Sequence, residues 1–204
     1  EPDSSLCDYS DVILSDVDRI DRVIDRLLRF IQPSSQGWTY ESINDVVDDT
    51  IMLAKHEIRS KRIELDVKQA ENLPKIMCQR ENLMQAIMNV LVNAFQAIEE
   101  RGWVRVETSF AEDAEGGGDG AVTLKISDNG PGITESDMAR IFDPSFTTKE
   151  DGSGFGLSIT RQTVEAHGGR IKVKSGPPGG AEFSVWLPVR NSGARATGEA
   201  TGNA

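Results

Sequence analysis

The stretch Gln85-Ala-Ile-Met-Asn89-Val-Leu-Val-Asn93-Ala-Phe-Gln-Ala97-Ile98 decides how the rest of the chain is read. Ile87, Val90, Leu91, Ala94 and Ile98 recur at helical spacing and predict an apolar stripe packed on a core. Gln85, Asn89, Asn93 and Gln96 also recur at three or four, which predicts a polar ridge on another side of the same helix. Asparagine lowers helix propensity and gains little by facing water. Two asparagines one turn apart, inside an apolar run, therefore ask for a polar ligand or a buried network. Taken alone they would also pass as ordinary helical amides.

Outward from this helix, which the pattern predicts over 79–100 with Gly102 as its stop, strands and helices alternate. Upstream, a helix runs from Tyr40 to about residue 60 through Ile43, Val46, Val47, Ile51 and Leu53. Ile63, Leu65 and Val67 then alternate as a half-buried strand over 62–68, and a short strand over 73–77 is held at a sheet edge by Pro74. Downstream, strands over 103–109 and 121–127 flank an acidic, glycine-rich hairpin loop. A short helix follows over 135–140, then a loop or lid over 143–155. A helix over 155–167, with Leu157, Ile159, Val164 and Ala166 among its packing residues, ends at Gly168-Gly169. A hairpin over 170–175 and 181–187 closes the set. Strands joined partly by hairpins and interleaved with helices predict an α+β fold, a two-layer α/β sandwich with a mixed sheet. No βαβ unit joins the glycine clusters, so a doubly wound dinucleotide fold is excluded.

Before this domain, Ile13, Val17, Ile20, Ile24, Leu27 and Ile31 alternate at four and three. That 3.5-residue period predicts a long bundle or coiled-coil helix whose seam needs a partner helix. Pro33 breaks it. The expected division is 1–33 for the helical segment, 38–190 for the sandwich domain and 191–204 for a disordered tail or linker. The chain opens at Glu1 without a methionine, so a longer parent protein is expected.

Acidic residues number 33 against 22 basic, a net charge of −11. That balance argues against a broad surface for nucleic acid or lipid headgroups, both polyanions. No run approaches the roughly 18 apolar residues of a membrane span. Cys7 and Cys78 stand alone, which fits a reducing, cytoplasmic setting. With His56 and His167 the only histidines, a multi-histidine metal site is excluded.

Three elements point to phosphate chemistry. The amide ridge suits a hydrated divalent cation held through side-chain carbonyl oxygens. Asp128 ends a strand directly before Gly130-Pro131-Gly132, where a carboxylate can accept from an exocyclic amine while the glycines admit a planar ring. Gly152-Ser-Gly154-Phe-Gly156-Leu157 leads straight into a helix, whose free N–H groups form an anion site. The two glycine motifs alone are also an ordinary turn and a flexible loop. No GKS or GKT follows the glycines, so this is no conventional P-loop.

In this order, the motifs resemble the catalytic and ATP-binding domain of a two-component sensor histidine kinase, within the wider GHKL ATPase superfamily. Gln85 to Ala97 is similar to the N box, and Asp128-Asn129-Gly130-Pro131-Gly132 to the first glycine box. Phe142-Asp143-Pro144-Ser145-Phe146, followed by Thr147-Thr148-Lys149, resembles the F box. Gly152 to Leu157 is similar to the second glycine box. The resemblance covers about residues 40–188. Phe155 replaces the usual leucine, and Gln96 stands where a Lys or Arg is more familiar.

The resemblance implies binding of ATP and Mg2+. Asn93, with Asn89, would hold the magnesium. Asp128 would accept from the adenine amine, with Gly130, Gly132 and Ile133 shaping the base pocket. Phe142 and Phe146 would anchor the lid. Thr148, Lys149, Gly152, Gly154, Phe155, Gly156 and Leu157 would line the phosphate side, and Asn89, Asn93 and Lys149 would act in the transfer. Residues 19–33 resemble the second helix of the family's dimerisation and phosphotransfer hairpin. That implies a homodimer in the intact protein and a response-regulator receiver domain as partner. Neither His56 nor His167 has the phosphoacceptor context, so the acceptor is expected outside this chain. The alternatives are a non-kinase GHKL ATPase, which would want a glutamate base near Asn89 and a trailing lysine-bearing domain, and a nucleotide-binding scaffold without transfer.

Overall fold

The computed structural model describes residues 37–59, 62–111, 120–149, 152–175 and 179–189. The bundle or coiled-coil helix expected within 1–33 and the tail expected over 191–204 lie outside them. The elements run β1 (Thr39–Glu41), α1 (Ile43–Arg59), β2 (Arg62–Gln69), β3 (Ile76–Cys78), α2 (Arg80–Ala97), β4 (Arg101–Ala111), β5 (Ala121–Asp128), α3 (Glu135–Met138), α4 (Gly156–Ala166), β6 (Arg170–Ser175) and β7 (Ala181–Pro188).

A five-stranded sheet in the order β2-β4-β5-β7-β6 carries α1, α2 and α4 on one face. Only β2 and β4 are parallel, joined by the crossover through β3 and α2; every other neighbour is antiparallel. The expected α/β sandwich with a mixed sheet is therefore the fold. Its core follows from the strand period of two. Val122, Leu124 and Ile126 point inward on β5, opposite Val106 and Thr108 of β4 and Phe183, Val185 and Leu187 of β7. The other face carries charged residues around Trp103 and Trp186, with Arg105 Nε donating to Asp66 Oδ2 at 2.7 Å.

Against this sheet α2 lays down Leu83, Ala86, Ile87, Val90, Leu91, Ala94 and Phe95, all buried. Burial of a Leu, Ile or Val side chain contributes about 1.5–3 kcal/mol, so this stripe holds the helix to the sheet. Ile98 is buried too, as the stripe predicts. The helix ends at Ala97 rather than residue 100, and Gly102 lies inside β4 instead of stopping α2. Ile98 is already extended, with φ −88° and ψ 119°, so the chain has turned before the glycine.

Other boundaries differ for equally local reasons. Tyr40 belongs to a three-residue strand, and the helix expected from it begins at Ile43. The strand expected over 73–77 is Ile76–Cys78, and it pairs with β1 in a separate two-stranded sheet rather than at the edge of the main one. Leu53 and Val67, expected in apolar stripes, are 65% and 39% exposed. Ala166, expected to pack, is exposed, while Ile159 and Val164 of α4 are buried as expected. No helix among the described residues is long and apolar enough to cross a membrane.

Candidate functional site

The pleat of β5 builds the first part of the site. Val122, Leu124, Ile126 and Asp128 share the inward face, so the strand's last inward position carries a carboxylate opposite Val104. Asp128 is 6% exposed. Its Oδ1 accepts from the Gly130 N–H at 2.9 Å and the Ala181 N–H at 3.3 Å. Burial pushes its pKa above the ordinary carboxylate value, with the two backbone donors pulling the other way.

The turn that follows is tied down on every side. Gly132 has φ +84°, and a Cβ there would stand 2.6 Å from Ser175 Oγ. That hydroxyl accepts from the Ile133 N–H at 2.7 Å and donates to the Gly180 carbonyl at 2.8 Å. Asn129 Oδ1 accepts from the Trp103 N–H at 2.7 Å. Gly130 lies against Ala97, the last residue of α2, so the turn meets the end of the helix that carries the amide ridge.

The ridge itself faces the second glycine cluster. Asn89 Nδ2 donates to the Gly156 carbonyl at 3.0 Å. Thr160 Oγ1 donates to that same carbonyl at 2.9 Å and lies 3.3 Å from the Ala86 carbonyl, so α2 and the start of α4 are in direct contact. Further along the ridge, Lys149 Nζ donates to Asn93 Oδ1 at 3.1 Å and Gln96 Oε1 at 2.7 Å.

Between the two turns, Ile141 is buried, and Phe142 and Phe146 pack half-buried on the core. The Arg161 guanidinium stands 5.9 Å over the Phe142 ring, and that of Arg140 stands 4.8 Å over Phe146. Gly154, at φ +71°, sits so close to the Ser145 backbone that a Cβ would come within 2.3 Å of its carbonyl carbon. Thr147 Oγ1 accepts from the Lys149 N–H at 3.1 Å. Leu157 is half-buried against the core, Phe155 stands at the N-cap position of α4, and Thr148 is exposed.

The α2 segment 89–97 thus meets three separate stretches of the sequence, at Gly130, at Lys149 and at Gly156. Ser175 and Asn129 were not among the expected site residues; each acts through a hydrogen bond to a distant strand or turn that no local pattern announces. His167, expected to have no acceptor role, is 4% exposed and joins the helices: its Nε2 accepts from the Gln79 N–H at 3.0 Å, at the N-cap of α2.

The profile described as "Histidine kinase-, DNA gyrase B-, and HSP90-like ATPase" matches residues 78–191, more than half of the chain. The chain belongs to this ATPase family. Sensor histidine kinases are among its relatives within the family. It is 37% identical over 186 residues to the signal transduction histidine-protein kinase AtoS of Escherichia coli, covering 91% of this chain and 30% of that protein. It is 34% identical over 182 residues to the sensor histidine kinase ZraS of Salmonella typhimurium, covering 89% of this chain and 38% of that one. The chain therefore spans less than two fifths of the length of these curated relatives. Among solved structures, the catalytic domain of the histidine kinase ThkA superposes with a TM-score of 0.65 at 27% identity, covering 75% of this chain and 96% of that one. Full-length ShkA, solved in complex with AMPPNP, superposes with a TM-score of 0.73 at 26% identity, covering 89% and 38%.

An ATPase of this family implies a nucleotide and a divalent cation, and the donor set fits both. Among the described residues no cluster of three His, Cys, Asp or Glu could hold a metal. Neutral amide oxygens are present instead: those of Asn93 and Gln96 hold the Lys149 ammonium, and Asn89, expected beside Asn93, uses its Nδ2 on the Gly156 carbonyl. Neutral oxygens suit a hydrated cation whose charge is balanced by phosphates rather than by the protein.

Proposed function

We propose that this chain is the Mg-ATP-binding catalytic domain of a sensor histidine kinase, which transfers the γ-phosphoryl group of ATP to a histidine outside these 204 residues. From there the group would pass to an aspartate of a response-regulator receiver domain. The observation that carries the reading is the convergence of the amide ridge on the glycine-led helix, Asn89 on Gly156 at 3.0 Å, in a domain whose buried carboxylate, Asp128, ends β5.

Each residue then has a chemical task. Asp128 accepts from the exocyclic amine of adenine, while both backbone donors hold its Oδ1 in place. Gly130, Gly132 and Ile133 shape the base pocket. The N–H groups at the start of α4, with Gly152, Gly154 and Gly156 before or within it, receive phosphate oxygens. Phe155 and Leu157 seat that turn, and Phe142 and Phe146 seat the segment carrying Thr148 and Lys149. Asn93, with Asn89, would hold the magnesium, which when bound offsets charge on the phosphates. Orientation of the γ-phosphate for in-line attack by an imidazole is the remaining contribution of the protein.

In this reading residues 1–33, which lie outside the described residues, belong to a dimerisation and phosphotransfer region, and 38–190 form the catalytic domain. The intact protein would be a homodimer working in the cytoplasm. ThkA, a histidine kinase of this fold, has been crystallised in complex with the response regulator protein TrrA, which supports the partner assignment. Radiolabelled ATP, supplied with a full-length partner kinase carrying an acceptor histidine, should yield phosphohistidine. Measured Mg-ATP binding without any phosphohistidine would overturn the kinase assignment.

A further inference from the structure

Lys149 is held in a specific way. Its Nζ is shared between Asn93 Oδ1 at 3.1 Å and Gln96 Oε1 at 2.7 Å, so two amide oxygens near the end of α2 act as cation ligands. The backbone of Lys149 is set by Thr147 Oγ1 and by the Gly152 N–H, which donates to the Lys149 carbonyl at 3.1 Å. One ammonium thereby fastens the turn that leads to the phosphate-side glycines onto the helix that carries the ridge. Asn93 is also the residue assigned above to the divalent ion. An amide oxygen has two lone pairs, but an ammonium and a dication on the same oxygen repel each other.

We propose that Lys149 and the divalent ion of the nucleotide compete for Asn93 Oδ1, with Gln96 helping to hold the ammonium while the metal is absent, so that arrival of the metal frees residues 146–149 from α2. The proposal rests on the ATP-site reading and deepens it. Gln96 makes that hold possible in this chain: its neutral oxygen accepts the ammonium, where a basic side chain would repel it. Metal, lid and helix are then coupled through one exchangeable interaction.

Hydrogen exchange read by mass spectrometry on the nucleotide-free chain tests the fastening directly. Gln96→Lys opposes like charges and Lys149→Met removes the ammonium. Each should speed exchange of the 146–149 amides by about three- to tenfold, the scale of a charge-assisted hydrogen bond near the surface. Both side chains are exposed, and unchanged thermal unfolding will show that the variants fold. Unaltered exchange in both overturns the fastening. Competition is read from ADP affinity measured with Mg2+ and with EDTA. The gain on adding Mg2+ should rise about three- to tenfold in Lys149→Met, because any attraction between the lysine and a phosphate is missing in both buffers and cancels. An unchanged gain overturns the competition for Asn93 even if exchange accelerates. Absence of ADP binding by the unmodified chain in both buffers overturns the ATP-site reading and the metal half of this proposal, while exchange still decides the fastening.

Discussion

At the Asp128 end of the site the contacts are made by backbone groups and buried oxygens; at the Lys149 end most of them are made by exposed side chains. Gly130, Ala181, Ile133 and Gly180 all contribute main-chain partners to the first turn. The second turn is held by Lys149, Asn93, Gln96 and Thr147, of which all but Asn93 are exposed. Main-chain contacts between adjacent strands cannot adjust without moving the sheet. Side-chain contacts on a loop can exchange partners in place. Under the proposed function, that difference divides labour between a preformed pocket for the base and an adjustable cover for the phosphates.

The comparison can be broken at its rigid end first. Gly132→Ala puts a Cβ 2.6 Å from Ser175 Oγ at φ +84°, so strain and overpacking add. A loss of roughly 2–4 kcal/mol is expected, a fall in Tm of about 5–15 °C. A change under about 2 °C would mean that the turn is as adjustable as the other one.

Gly154→Ala meets backbone just as closely, 2.3 Å from the Ser145 carbonyl carbon at φ +71°, but in a segment tied mainly by side chains. The segment should shift, with a smaller loss of about 1–2 kcal/mol and weaker Mg-ATP binding by about tenfold or more. Stability losses equal to those of Gly132→Ala would erase the distinction.

Asp128→Asn sharpens the comparison in the opposite direction. The folded pKa of Asp128 is raised by burial, so the native chain binds that proton more tightly than the unfolded chain. Its contribution to stability is greatest below the unfolded carboxylate's value, declines as pH rises through the raised value, and is flat above. The asparagine variant should lose that slope and melt about 1–4 °C higher at neutral pH, while ATP affinity drops by about tenfold. A variant that is less stable at neutral pH would show that the two backbone donors outweigh the burial.

Much of the fold was legible because burial imposes a period. The stripe of α2 follows the 3.6-residue rule over its whole length, and each of its predicted members is buried. Leu53 and Val67 fit their patterns as well yet stay exposed, since a period says which residues share a face and not how far the neighbouring element reaches. The short β1 was illegible: three residues carry no period, and their partner β3 lies far along the chain, with Thr39 opposite Cys78. The proximity of Asn89 to Gly156 was foreshadowed by the misplaced amides and the needless glycines. Ser175, Asn129 and His167 were not, because each is defined by one hydrogen bond to a segment far along the chain. The cation on Asn93 was not foreseen: Lys149 was expected on the phosphate side, and no spacing in the sequence announces that it reaches residue 93.

Calorimetric titration of ATP into the unmodified chain and into Asn93→Ala, each with Mg2+, tests the central claim most directly. One ATP should bind per chain, and the substitution should abolish binding while leaving Tm unchanged. Equal affinity in the two proteins, or no heat of binding in the unmodified chain, would contradict the assignment of this ridge to a metal-nucleotide site.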